Sequence, residues 1–82
     1  MLFRSIFHLN GNKINVQCKV NDTFEKISQN FASKVNKNAE NLLFIYNGSY
    51  IEKKIMTFQQ LANNIDKSRN IIDVLTYEKE LN

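Results

Sequence analysis

At 82 residues the chain makes one domain with a modest core, because a fold of this length buries only about 60–65% of its unfolded surface. Its 43% hydrophobic and 23% charged residues, with two glycines and no proline, describe a globular composition and exclude a Pro- or Gly-rich linker. The net charge of +3 is scattered, with Lys53–Lys54 the one adjacent basic pair, so no basic stripe of the nucleic-acid-binding kind is present; a single cysteine excludes an internal disulfide.

No apolar run approaches the roughly 18 residues of a membrane-spanning helix, and Met1 to His8 lacks the long apolar region and small-residue cleavage site of a signal peptide. The expectation is a cytoplasmic or nuclear protein. Cys18 and His8 are the only residues of their types. As a nucleophile–base pair they have no identifiable third group to orient them, and together they fall short of a metal ligand set. The sequence therefore predicts no enzyme, no cofactor and no metal, and Cys18 reads as a small core residue.

In chain order, Leu2 to Leu9 reads as a strand and is followed by Asn10–Gly11, a strong hairpin signal. Lys13 to Val20 alternates cleanly, with Ile14, Val16, Cys18 and Val20 on one side. Two registers are open. A two-residue turn pairs Phe7 with Ile14, Ser5 with Val16 and Phe3 with Cys18. A three-residue bulged loop pairs Ile6 with Ile14, Arg4 with Val16 and Leu2 with Cys18. A one-residue slip inverts the face. The first buries Ser5 and the second Arg4, so the cost of burying a charge favours the first.

Asp22 to Val35 predicts the main helix, about residues 22–36. Phe24, Ile27, Phe31 and Val35 fall within an arc of roughly 80°, a single apolar stripe that needs a sheet to cover. Asp22 and Thr23 are both good N-caps, Asp22 with Glu25 has capping-box spacing, and Asn residues near 36–38 suit a left-handed stop. Asn38 to Asn41 is a short connection and Leu42 to Tyr46 a second apolar strand. Asn47–Gly48 is another turn signal, and Ser49 to Ile51 a brief return strand.

Glu52 to Ile55 reads as a charged loop, and Thr57 to Asn63 as a short helix with Thr57 and Gln60 in a capping box. Asn64 to Asn70 reads as a polar loop. Ile71 to Tyr77 is the last strand, with Ile72 and Val74 inward because the alternative buries Asp73. Residues 78–82 read as a frayed polar tail, leaving 1–77 as the domain. The fold class is α+β: a mixed sheet of four to five strands crossed by one main helix, with the last strand between the first strand and the Leu42 strand.

Three stretches carry a resemblance. His8-Leu9-Asn10-Gly11 is similar to a Thr-Leu-Thr-Gly hairpin tip. Val20-Asn21-Asp22-Thr23-Phe24-Glu25 is similar to a Pro-Ser-Asp-Thr-Ile-Glu helix opening. Leu43 to Ile51 is similar to Arg-Leu-Ile-Phe-Ala-Gly-Lys-Gln-Leu. In this order they resemble ubiquitin and the ubiquitin-like β-grasp family, over Leu2 to Tyr77. The sequence departs from the family's modifiers in ending Tyr77-Glu78-Lys79-Glu80-Leu81-Asn82 with no Gly-Gly, and in carrying Ser49 at the position of the main chain-linking lysine. Lys53 and Lys54 stand for an acidic residue and a glycine.

If the helix covers Leu42, Phe44 and Tyr46, then Leu43, Ile45, Ile71 and Leu75 stay on the open side of the sheet, where an apolar cluster would bind a partner. The resemblance places Leu9, Ile45 and Leu75 in the family's hydrophobic recognition patch and puts Asp73 where that patch has a histidine. Arg4, His8, Lys13, Lys53 and Lys54 form the expected charged rim. The resulting expectation is a non-catalytic, monomeric interaction domain of an adaptor or proteasome-shuttle protein, binding receptor helices or small domains and neither nucleic acid nor membrane. The alternative is a covalent modifier or its precursor, disfavoured without the Gly-Gly.

Overall fold

The computed structural model describes residues 2–79. The strands are β1 (Phe3–Leu9), β2 (Asn12–Cys18), β3 (Leu42–Tyr46), β4 (Ser49–Tyr50) and β5 (Ile71–Glu78), and the helices are α1 (Phe24–Lys34), α2 (Phe58–Leu61) and α3 (Asn64–Arg69). They form one mixed five-stranded sheet in the order β2-β1-β5-β3-β4, with β1 and β5 parallel and the other neighbours antiparallel. The last strand thus lies between the first strand and the Leu42 strand, as the sequence predicts. α1 packs across one side, which makes the chain an α+β grasp.

Asn10–Gly11 and Asn47–Gly48 each form a two-residue turn with both residues at positive φ, the geometry that matches the right-handed twist of a hairpin. The first turn settles the register: Phe7 pairs with Ile14, Ser5 with Val16 and Phe3 with Cys18. Ser5 is fully buried, its hydroxyl 3.8 Å from the Cys18 sulfur, and burial pushes the Cys18 thiol above its ordinary pKa. Arg4 stays exposed on the other side.

The same parity corrects one expectation. Leu9 lies two residues from Phe7, so its side chain turns toward α1 and is only 5% exposed. It belongs to the core and not to the recognition patch.

α1 ends at a left-handed Asn36, consistent with the predicted stop, but it starts at Phe24. Thr23 is its N-cap, accepting from the Lys26 N–H at 3.3 Å. Asp22 instead closes the turn before it, accepting from the Lys19 N–H at 2.8 Å, and this bond holds its carboxyl below the usual range. The first N–H groups of α1 are satisfied from elsewhere in the chain. Phe24 donates to the Met56 carbonyl (2.7 Å) and Glu25 to that of Lys54 (2.8 Å), while Phe58 and Gln59 of α2 donate back to Asp22 and Val20 (3.2 Å each). Two helix starts, each with four orphan donors, therefore share partners and pin the loop between β4 and α2. The Thr57–Gln60 capping box forms as predicted.

Phe24 and Phe31 of α1 meet Phe7 and Phe44 from the sheet. Phe7 stacks on Phe31 at 4.2 Å between centroids, and Phe44 stands edge-on to Phe7, Phe24 and Phe31. Ile72 and Val74 fill the space beside them, inward as expected. Such ring pairs add about 0.5–1.5 kcal/mol each beyond area burial.

Two further expectations change. Asn64 to Asn70 is not a loop: α3 occupies it, capped by the Asn63 side chain on the Asp66 N–H (2.8 Å) and stopped by a left-handed Asn70. Residue 78 is not frayed. β5 runs on to Glu78, which pairs with Leu42 and holds Lys37 at 2.6 Å, and the Lys79 N–H donates to the Asn41 carbonyl (2.9 Å). The rest of the predicted tail lies outside the described residues.

Candidate protein-binding face

The side of the sheet away from α1 is built by register. β1 places His8 beside Leu75 of β5, β5 places Leu75 beside Ile45 of β3, and β3 places Ile45 beside Tyr50 of β4. On the other flank His8 faces Lys13 of β2. One row of side chains, Lys13–His8–Leu75–Ile45–Tyr50, thus crosses all five strands. The row next to it toward the end of β5 pairs Leu43 with Tyr77. Leu75, Tyr77 and Tyr50 are 46%, 54% and 59% exposed, and Leu43 and Ile45 are half-buried among them. Five apolar or aromatic side chains on three adjacent strands make a continuous patch with nothing of the described chain over it.

The patch has a polar border. His8 Nε2 donates to Asp73 Oδ1 at 2.9 Å, across the diagonal from its Leu75 neighbour. Asp73 Oδ2 lies 3.7 Å from Arg69, whose other nitrogen reaches Asp66 at 3.4 Å. Asp66 in turn accepts from the Tyr46 hydroxyl (2.5 Å), and that hydroxyl accepts from the Asn63 N–H (3.0 Å). A chain of polar contacts thereby runs from the open face through α3 to the opposite side of β3. Burial is the main cause that lifts the Tyr46 phenol above its ordinary pKa; Asp66 lifts it further, and the Asn63 N–H opposes both. Arg4 and Lys13 remain on the face with no carboxylate partner among the described residues, so its surroundings are net basic once Asp73 is matched.

No protein-family model and no curated protein matches the sequence. Solved structures do match in fold. Caldiarchaeum subterraneum ubiquitin superposes with a TM-score of 0.79 at 10% identity, over 99% of this chain and 98% of that one. The ubiquitin-like domain of an Arabidopsis thaliana protein gives 0.78 at 8% identity, over 98% and 80%. The N-terminal ubiquitin-like domain in the 4931431F19Rik protein gives 0.73 at 11%, over 99% and 78%.

The chain has the ubiquitin-like fold.

Within this ubiquitin-like chain the expected site residues separate into three groups. Leu43, Ile45 and Leu75 are brought together, with His8 at their margin. Ile71 shares the face but sits beside Arg4 beyond Asp73, off the main cluster. Leu9 is in the core, and Lys53 and Lys54 are not on the face. Lys54 carries its ammonium 5.5 Å from the Phe44 ring centre, and Phe44 points toward α1; Lys53 borders a groove with Tyr46, Met56 and Leu61. Tyr50 was not among the expected residues, although a two-residue turn at Asn47–Gly48 sets Ile45 opposite it. Tyr77 was likewise not among the expected residues, although it shares the strand parity of Ile71 and Leu75. The His8–Asp73 link carries no local sequence signal, because its members are 65 residues apart.

Proposed function

We propose that this chain is a non-catalytic protein-interaction domain that binds helices or small folded domains through the open face of its sheet. The observation that carries this reading is the Leu43–Ile45–Tyr50–Leu75–Tyr77 cluster. Exposed patches of this sort, apolar at the centre and charged at the rim, mark interaction sites. Ile45 and Leu75 supply the apolar centre. Tyr50 and Tyr77 add large contact area at little cost in side-chain entropy, as aromatics at interfaces do. Lys13 and Arg4 favour a partner with acidic residues at its edge and speed encounter with it.

Two structurally similar proteins are described as ubiquitin-like domains within larger proteins, one of them N-terminal. This supports a role as one module of a larger protein; an adaptor or proteasome shuttle of the cytoplasm or nucleus is the setting we propose for it.

The test is a chemical-shift titration of the isotope-labelled chain with a ubiquitin-receptor helix. The expected result is saturable shifts at His8, Ile45, Tyr50 and Leu75. No shifts at saturating helix, or shifts confined to α1, would remove the assignment.

A further inference from the structure

A second surface lies at the β4 edge of the sheet. β4 is only two residues long. Past Tyr50 the Ile51 N–H still donates to the Phe44 carbonyl (2.9 Å), but by Lys54 the chain has turned away to cap α1. The divergence opens a cleft of about 490 Å³ along β3, lined by Leu42, Leu43, Phe44, Ile51, Lys54 and Lys79 among others. That volume lies within the usual range of ligand sites, roughly 300–1,000 Å³. Its floor is apolar. Among the described residues neither the Lys54 nor the Lys79 ammonium has a carboxylate partner, and Glu52 is the one acidic side chain on the lining. The opposite edge is defended: on β2 the Lys34 ammonium donates to the Asn15 carbonyl at 2.8 Å, so a helix side chain occupies that strand's outer side.

We propose that the cleft takes an extended acidic peptide segment, seating one apolar side chain against Leu43 and Tyr50 and pairing an adjacent carboxylate with Lys54 and Lys79. The two unmatched ammoniums select the charge. The apolar floor between them selects the anchor. The strand edge alongside selects the conformation, because an extended chain aligns with β3 where a helix does not. This site shares Leu43 and Tyr50 with the open face and otherwise lies around the sheet edge from it, and it does not depend on the function proposed for that face.

The experiment is selection of a displayed random heptapeptide library on the immobilised chain, followed by affinity measurements on the enriched peptides. The expected peptides place Asp or Glu next to Ile, Leu, Val or Phe. Their affinity falls at least about tenfold in Lys54→Glu and in Lys79→Glu, weakens with added salt, and is unchanged in Leu75→Glu. Lys79→Glu is the guard against misfolding, because its side chain is exposed whereas Lys54 covers Phe44. Failure to enrich any peptide, enrichment of peptides without acidic residues, or binding indifferent to both lysine changes would overturn the proposal. Peptides lost only in Leu75→Glu would assign the binding to the open face and overturn it equally.

Discussion

Leu9 and Leu75 are the same side chain in opposite circumstances. Leu9 is packed in the core under α1, and Leu75 stands 46% exposed on the other side of the sheet. Truncation should separate them: Leu9→Ala loses about 2–5 kcal/mol of stability, as buried leucines do, and Leu75→Ala about 0.5 kcal/mol or less. Urea unfolding of the two variants checks this, and equal losses would contradict the assignment of faces. Thr76 presents a different residue-scale case. It is 4% exposed, and among the described residues its hydroxyl has no hydrogen-bond partner. A buried hydroxyl without a partner costs stability, so Thr76→Val, which keeps the β-branched shape, should raise the free energy of unfolding by about 1 kcal/mol. A loss of stability would mean that the hydroxyl is bonded after all.

At the scale of elements, α3 is held by contacts rather than by an apolar stripe. None of its residues is buried, and Ile65 is among the most exposed large side chains. Its attachment to the sheet runs through the Tyr46 hydroxyl, which bonds Asp66 and the Asn63 N–H. Tyr46→Phe removes both bonds and should cost about 1–2 kcal/mol, with faster amide exchange confined to α3. The phenol's raised pKa adds a pH signature. A group whose folded-state pKa is raised contributes stability that is fully present below its ordinary value of 10 and is lost as pH rises through the higher folded value. Tyr46→Phe should lack that part of the alkaline loss, which pH-dependent denaturation will show. The same helix marks the limit of what was legible in the sequence. α1 could be read because Phe24, Ile27 and Phe31 repeat at helical spacing, and the hairpins because Asn-Gly turns admit positive φ at both positions. α3 has no apolar period; Asn63 caps it on the Asp66 N–H, but the Tyr46 contact that secures it comes from 20 residues away. Tyr50 was legible and missed, since the two-residue turn at Asn47–Gly48 sets it opposite Ile45.

At the scale of the whole molecule, the parallel pairing of β1 with β5 brings the two ends of the domain together at the centre of the sheet, with α1 on one side only. One face is thereby sealed by four phenyl rings and the other left with two tyrosines, two half-buried residues and Leu75. The resemblance to ubiquitin placed Leu9 on the patch, and the structure puts it in the core beside Phe7, because a strand between two others has no freedom to turn one residue over. For Ile45 and Leu75 strand parity and the resemblance agreed. The central claim is that the uncovered face is a docking surface. Its most direct test is the affinity of Leu75→Glu for a ubiquitin-receptor helix, measured by calorimetry beside the unaltered chain. The account predicts a loss of at least about tenfold with thermal unfolding unchanged. Equal affinity in a folded variant would contradict it.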